Sequence, residues 1–229
     1  SLLALASPAF AEDLLGGQWS ANLGVVSDYS FRGISQSDDS AALQGGFDWT
    51  HNSGAYLGIW GSTIDLADAD VEFDLYGGWG GTLDNGMSWK LGAIYYAYPG
   101  ASSSRNYDYV EGTGSLGYDF GFVSTTLGMN ISPDFFAGSG FATYSYADAT
   151  VPIKLGQEFD LGLTAHAGNQ TVQDNNDFGS PDYVDYALGV KAGYAGYTAH
   201  LQYIGTDLDE PQDCTGCDDR VVFGLSRAF

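Results

Sequence analysis

Residues Val71–Tyr98 read V-E-F-D-L-Y-G-G-W-G-G-T-L-D-N-G-M-S-W-K-L-G-A-I-Y-Y-A-Y. Val71, Phe73, Leu75 and Trp79 alternate with Glu72, Asp74, Tyr76 and Gly78, and a second alternating run begins at Ser88. A period of two places successive side chains on opposite faces of an extended chain. Between the runs stands Asp84-Asn85-Gly86, and Asn-Gly flanked by alternating segments is the strongest local signal for a hairpin turn. The stretch therefore predicts two antiparallel strands, each with one apolar and one polar face.

The same pattern recurs along the chain. Twelve segments alternate in this way: approximately Trp19–Ile34, Ala42–His51, Ala55–Asp65, Val71–Leu83, Ser88–Tyr98, Tyr107–Asp119, Phe122–Ser132, Phe141–Leu155, Phe159–Asn169, Tyr183–Tyr194, Tyr197–Thr206 and Arg220–Phe229. Helical periodicity appears over no useful length. The connections alternate long and short: Gln36–Ser40 then Asn52-Ser53-Gly54, Leu66–Asp70 then Asp84–Gly86, Pro99–Asn106 then Phe120-Gly121. They continue with Pro133–Gly140, Gly156–Glu158, Gln170–Asp182, Ala195-Gly196 and Asp207–Asp219. An up-and-down meander with every second loop enlarged is the plan of an all-β transmembrane antiparallel barrel of about twelve strands. A soluble sandwich gives no reason for the alternation. On this plan the long loops are extracellular and both termini periplasmic.

Composition narrows the function classes. The 229 residues carry 29 acidic and 7 basic side chains, a net charge of −22. That excludes a nucleic-acid partner, which needs clustered Lys and Arg. With 44% hydrophobic and 15% aromatic residues the chain is no disordered polyanion. No apolar run reaches the roughly 18 residues of a spanning helix.

Residues 1–11, SLLALASPAFA, end in Ala9-Phe10-Ala11 and read as the remnant of a secretory signal peptide, with residues 12–229 as a single barrel domain. Export also suits the two cysteines, Cys214 and Cys217, as a small structural disulfide in a loop. Aromatics near predicted strand ends, Trp19, Tyr29, Phe31, Trp49, Tyr56, Trp89, Tyr98 and Tyr107, read as interfacial girdles. The final strand puts Val221, Phe223, Leu225 and the terminal Phe229 on one face, resembling the C-terminal signal by which outer-membrane barrels are recognised for assembly; Arg227 departs from that pattern.

The wording Ser27–Gln36, SDYSFRGISQ, followed by Ala42–Asp65, ALQGGFDWTHNSGAYLGIWGSTID, resembles the TorF-type porins of proteobacteria. The resemblance implies an outer-membrane porin, with lipid and lipopolysaccharide around it and no transported solute defined. It brings no catalytic residues.

The polar strand faces supply the candidate lumen: Asp28, Arg32, Asp48, Glu72, Asp74, Tyr76, Lys90, Tyr96, Glu111, Asp185 and Lys191, with Tyr109 and Trp60 also inward and Asp160, Lys154 and Arg220 adding charge. Charges inside a barrel must pair or face water. Asp28 and Arg32 share a predicted strand face and are placed to pair with Asp48 or Asp74. Twelve strands tilted by ~40° enclose a Cα radius of roughly 12 Å, so side chains decide what passes. The reading is a passive channel for small solutes with a modest preference for cations. The alternative is a structural or adhesive barrel without an open pore, whose acidic loops bind divalent cations or partners. Gln170–Asp182 is long enough to fold inward as a plug. No cofactor is implied. The three histidines, His51, His166 and His200, have no serine motif beside them, which speaks against a hydrolase.

Overall fold

The computed structural model describes residues 10–154 and 159–229. Residues 1–9 of the expected leader, the connection at 156–158 and the side chain of Lys154 lie outside the described residues. Twelve strands make the wall: β1 Gly17–Val26, β2 Ala42–His51, β3 Ala55–Leu66, β4 Ala69–Thr82, β5 Ser88–Ala97, β6 Tyr109–Asp119, β7 Ser124–Ser132, β8 Ala142–Lys154, β9 Asp160–Val172, β10 Tyr183–Tyr194, β11 Tyr197–Thr206 and β12 Arg220–Ala228. Each pairs antiparallel with the next, and β12 returns to pair with β1 from Gly224↔Val26 to Ala228↔Asn22. The sheet thus closes and leaves no edge in the wall. The seam covers only the second half of β1. Its first half takes Phe10–Leu14, which folds back antiparallel with Phe10 opposite Trp19, and Phe229, whose backbone exchanges two hydrogen bonds with Ala21.

The wall is inverted relative to a soluble protein. Leu23, Leu91, Leu127, Leu188 and Val221 each expose half or more of their surface outward. Glu72, Glu111, Asp185 and Gln170 are buried inside. An apolar belt covering every strand far exceeds the few hundred Å² that soluble monomers expose, and charged groups buried behind it are tolerated because they bond to one another or face the lumen. This is the partition of a barrel in lipid.

Two expectations about the strands are corrected. The first strand ends at Val26 instead of running to Ile34, because the chain turns into the barrel there. The second long connection, expected at Leu66–Asp70, shrinks to Ala67-Asp68, since β3 and β4 pair up to Leu66↔Ala69 across an irregularity after Thr63. The girdle also differs. Trp19, Trp49 and Trp89 lie on outward positions toward the short-turn end, whereas Tyr29, Phe31, Tyr98 and Tyr107 pack into an interior cluster at the long-loop end, and Tyr56 is inward. Outward Tyr95, Tyr186 and Tyr203 ring the loop end instead, donating to loop carboxylates: Tyr95 to Asp108 at 3.0 Å, Tyr186 to Asp219 at 3.0 Å, and Tyr203 to Asp219.

Much of the acid excess is used at this rim. Asp108, Asp182 and Asp207 accept backbone N–H groups of Tyr98, Val172 and Val184 at 2.7–2.9 Å. Carboxylates there satisfy the donors that a strand end would otherwise leave open.

Candidate functional site

The lumen is filled at the long-loop end by a segment of the first connection. After Val26 the chain enters the barrel and forms a small hairpin, Ser30–Phe31 against Ile34–Ser35, with Phe31 opposite Ile34. Arg32 and Gly33, the two residues between, have φ of 49° and 84°. Two successive positive φ values are the signature of the type I′ turn, whose twist matches that of the flanking strands. A Cβ on Gly33 would collide with Thr206 and Asp185 of the wall, so glycine is required by contact as well as by conformation.

The base of the hairpin is tied through Asp28. Its carboxylate accepts from Ser35 at 2.6 Å, Ser37 at 2.9 Å and Arg220 at 3.0 Å. Arg220 also pairs with Asp39 at 2.9 Å and donates to the carbonyls of Gly216 and Asp218. Gly216 O accepts Ser35 N–H at 2.8 Å, which joins the hairpin to the last loop. In that loop Cys214 and Cys217 are disulfide-bonded, and Glu210 accepts the N–H groups of Gly216 and Cys217. Tyr29 donates to Glu72 at 2.8 Å and sets its ring edge-on to Trp60.

The tip carries Arg32 to the wall. Its Nη2 donates to Glu111 at 2.6 Å and its Nη1 to Gln170 Oε1 at 2.7 Å. The guanidinium lies over the rings of Tyr144, Phe31 and Phe135 at 4.2, 4.6 and 5.6 Å. Arg32, Glu111 and Gln170 are 8%, 1% and 0% exposed, so this level of the lumen is closed. Around it Tyr96 stacks on Tyr109, Tyr109 meets Phe135 edge-on, and Phe31 meets Tyr96 edge-on.

Toward the short-turn end the lumen changes character. Tyr76 donates to Asp48 at 2.5 Å across Gly58, which has no side chain to obstruct it. His166 lies between Asp148 at 2.6 Å and Asp185 at 3.0 Å, with Tyr144 bonded to both His166 and Asp185. These groups, with His200 and Gln202, are half-buried apart from Tyr144 and Asp185. Lys90 is exposed, Lys191 half-buried, and neither forms an ion pair among the described residues.

The candidate residues therefore divide. Asp48, Tyr76, Lys90 and Lys191 line the half nearer the short turns; Glu72, Asp74, Tyr96 and Glu111 line the closed half; Asp185 joins the two. Asp28 and Arg32 are not wall residues but belong to the inserted hairpin, and Arg32 pairs with Glu111 and Gln170 in place of the expected Asp48 or Asp74. The plug is the segment 27–37, not 170–182: Gln170 is still in β9, and the loop beyond forms a single helical turn, Asn175–Phe178, whose Phe178 packs on Phe135. Gln170, Tyr144 and Phe135 were missed. The one local cue is Phe31-Arg32-Gly33-Ile34, an X-Gly pair between apolar residues, weakened because Arg32 stands where Asn or Asp is usual.

No group of three or more His, Cys, Asp or Glu is placed to hold a metal among the described residues. His166 bonds only tyrosine and carboxylates, and His51 bonds the adjacent exposed Ser53 in a local turn.

Solved structures share this architecture at low identity. A porin, KdgM, is similar with a TM-score of 0.61 and 6% identity over 92% of this chain and 99% of that one. The COG4313 outer-membrane channel from Pseudomonas putida F1 gives 0.51 and 11%, over 93% and 96%. LpxR from Salmonella typhimurium gives 0.53 and 12%, over 92% and 99%. At such identities the likeness is one of fold, that of bacterial outer-membrane barrels, among them porins and channels. Curated proteins give no match. A family model described as a bacterial protein of unknown function, Gcw_chp, matches residues 12–229, and the chain belongs to that family.

Proposed function

We propose that this protein is an outer-membrane channel for the passive diffusion of small solutes, shut in this conformation by its own first loop. The carrying observation is the way the lumen is closed. The obstruction is a separable hairpin on a connection, held by a limited set of polar ties, and the wall on the short-turn side presents half-exposed polar groups and two lysines that make no ion pair among the described residues, as a water-filled vestibule requires. The long loops face outward and the termini the periplasm, where the machinery that reads Phe229 acts. Arg227 fits that placement: it donates to Tyr197 at 3.0 Å and lies 4.9 Å over the rings of Tyr197 and Phe229, carrying its charge to the edge of the apolar belt. Acidic loops at the mouth raise the local cation concentration and give a modest cation preference. The segment that resembles TorF-type porins, Ser27–Gln36, is the inserted hairpin itself, which agrees with a role in gating.

Planar bilayers test this. Wild-type protein is expected to show rare or small openings, and a variant with Ser30–Ser35 replaced by a short Gly-Ser link should give large, cation-preferring steps. A folded, heat-modifiable variant that stays silent at all salts and voltages would refute the channel. A second reading, a closed structural barrel surrounded by lipopolysaccharide and acidic loops, draws on the burial of the Glu111–Arg32 pair, and that silence is its expected outcome.

A further inference from the structure

The geometry points to a recognition site for guanidinium-type cations on the lumen wall at Glu111, Gln170 and Tyr144, which Arg32 occupies as a tethered ligand and for which a free solute of that class competes. Three features of the wall support this. The receiving groups stand on strands β6, β8 and β9, so they persist when the hairpin leaves. Each is oriented by bonds that do not involve Arg32: Glu111 accepts from Asn130 at 3.1 Å and Tyr96 at 3.3 Å, Gln170 donates its amide to Thr171 O at 3.2 Å and so turns its oxygen inward, and Tyr144 is held through its hydroxyl by Asp185 and His166. The donor pattern they match is that of a planar fork, one carboxylate oxygen and one amide oxygen for two Nη groups, beneath an aromatic face. A compact ammonium meets fewer of these at once.

The charge on Glu111 points the same way. Glu111 is buried and Arg32 is its ion-pair partner, so withdrawing the hairpin leaves a buried carboxylate without its cation, and the vacated wall attracts another. A solute bearing a guanidinium would both fill the site and hold the hairpin off it, coupling solute binding to opening. This deepens the channel reading and rests on it for the path by which solute arrives; the binding itself is measured without conductance.

The test uses the detergent-solubilised full chain and methylguanidinium chloride, with sodium chloride at equal ionic strength as control. Arg32→Ala removes the tethered ligand. Its thermal unfolding midpoint should rise saturably with methylguanidinium in the millimolar range. Wild type should need several-fold more, since the tethered Arg32 competes for the same groups as an intramolecular ligand. Adding Glu111→Gln to Arg32→Ala should abolish the rise. Should Arg32→Ala fail to fold, Arg32→Lys keeps a charge at the tip, and methylguanidinium should still outcompete it more readily than it does wild type. Equal shifts with sodium chloride, or a shift that survives Glu111→Gln, would overturn the site. A positive rescue beside a hairpin-less barrel that never conducts would leave the site standing and remove the channel.

Discussion

The two halves of the lumen are built by different rules. At the loop end a carboxylate, an amide and a guanidinium are buried, each bonded, and surrounded by stacked aromatics as in a protein core. At the turn end the inward groups are half-buried or exposed, and Lys90 and Lys191 make no ion pair among the described residues. In a buried, low-dielectric setting a charge left without its partner is costly, while in contact with water the same loss matters little. Stability should therefore depend on the loop end, and conduction properties on the turn end.

The largest expected effect comes from breaking the buried pair. Glu111→Ala strands the Arg32 guanidinium and should destabilise the barrel by about 3–5 kcal/mol, the typical cost of removing one partner of a buried ion pair. Denaturant unfolding in detergent or lipid reads this directly. Replacing both residues, Arg32→Met with Glu111→Leu, should recover most of the loss while releasing the hairpin. A double variant no better than the single one would show that the pair is not the main tie. Next in size is Gly33→Val, which combines a positive φ with a wall that has no space for Cβ. A loss of about 1–3 kcal/mol is expected for the backbone strain alone, accompanied by more frequent openings. Tyr29→Phe removes one buried hydrogen bond, donated to Glu72, and should cost about 0.5–1.5 kcal/mol. Equal openings in wild type and Tyr29→Phe would mean that the hairpin is held by its tip and base alone.

The contrast also explains which parts of the molecule were legible in the sequence. The wall was, because alternation follows from the pleat: Phe73 and Leu75 mark one face as apolar as clearly as Glu72 and Asp74 mark the other as polar, and the alternating loop lengths assign the apolar face to lipid. The plug was not. Asp28, Ser30 and Arg32 continue the parity of β1, so nothing in the period marks the turn away from the wall at Ser27, and a hairpin that replaces the usual Asn or Asp before glycine with Arg32 hides its turn signal. Tyr29 and Phe31 read as a girdle for the same reason: an aromatic facing lipid and one facing an interior core obey the same alternation. Glycine content was visible but its purpose was not, since only the register shows Tyr76 lying across Gly58 toward Asp48, and Tyr144 across Gly168 toward Asp185.

The smallest effect on stability should come from the turn end, and it separates the halves most cleanly. Lys191 is half-buried on β10, with His200 opposite it in the register, and makes no ion pair among the described residues. Lys191→Glu removes a solvated charge and adds another, so the unfolding free energy should change by no more than about 0.5 kcal/mol. Selectivity should respond much more, because a charge on the low-dielectric wall of a narrow, water-filled vestibule sets the local ion concentration whether or not it is bonded. Measured in the hairpin-less background across a tenfold salt gradient, the reversal potential should shift toward the cation limit, with Lys90→Glu acting in the same direction from its more exposed position. A Lys191→Glu variant that unfolds easily yet leaves the reversal potential unchanged would invert the assignment and place the selectivity-determining charges at the loop end.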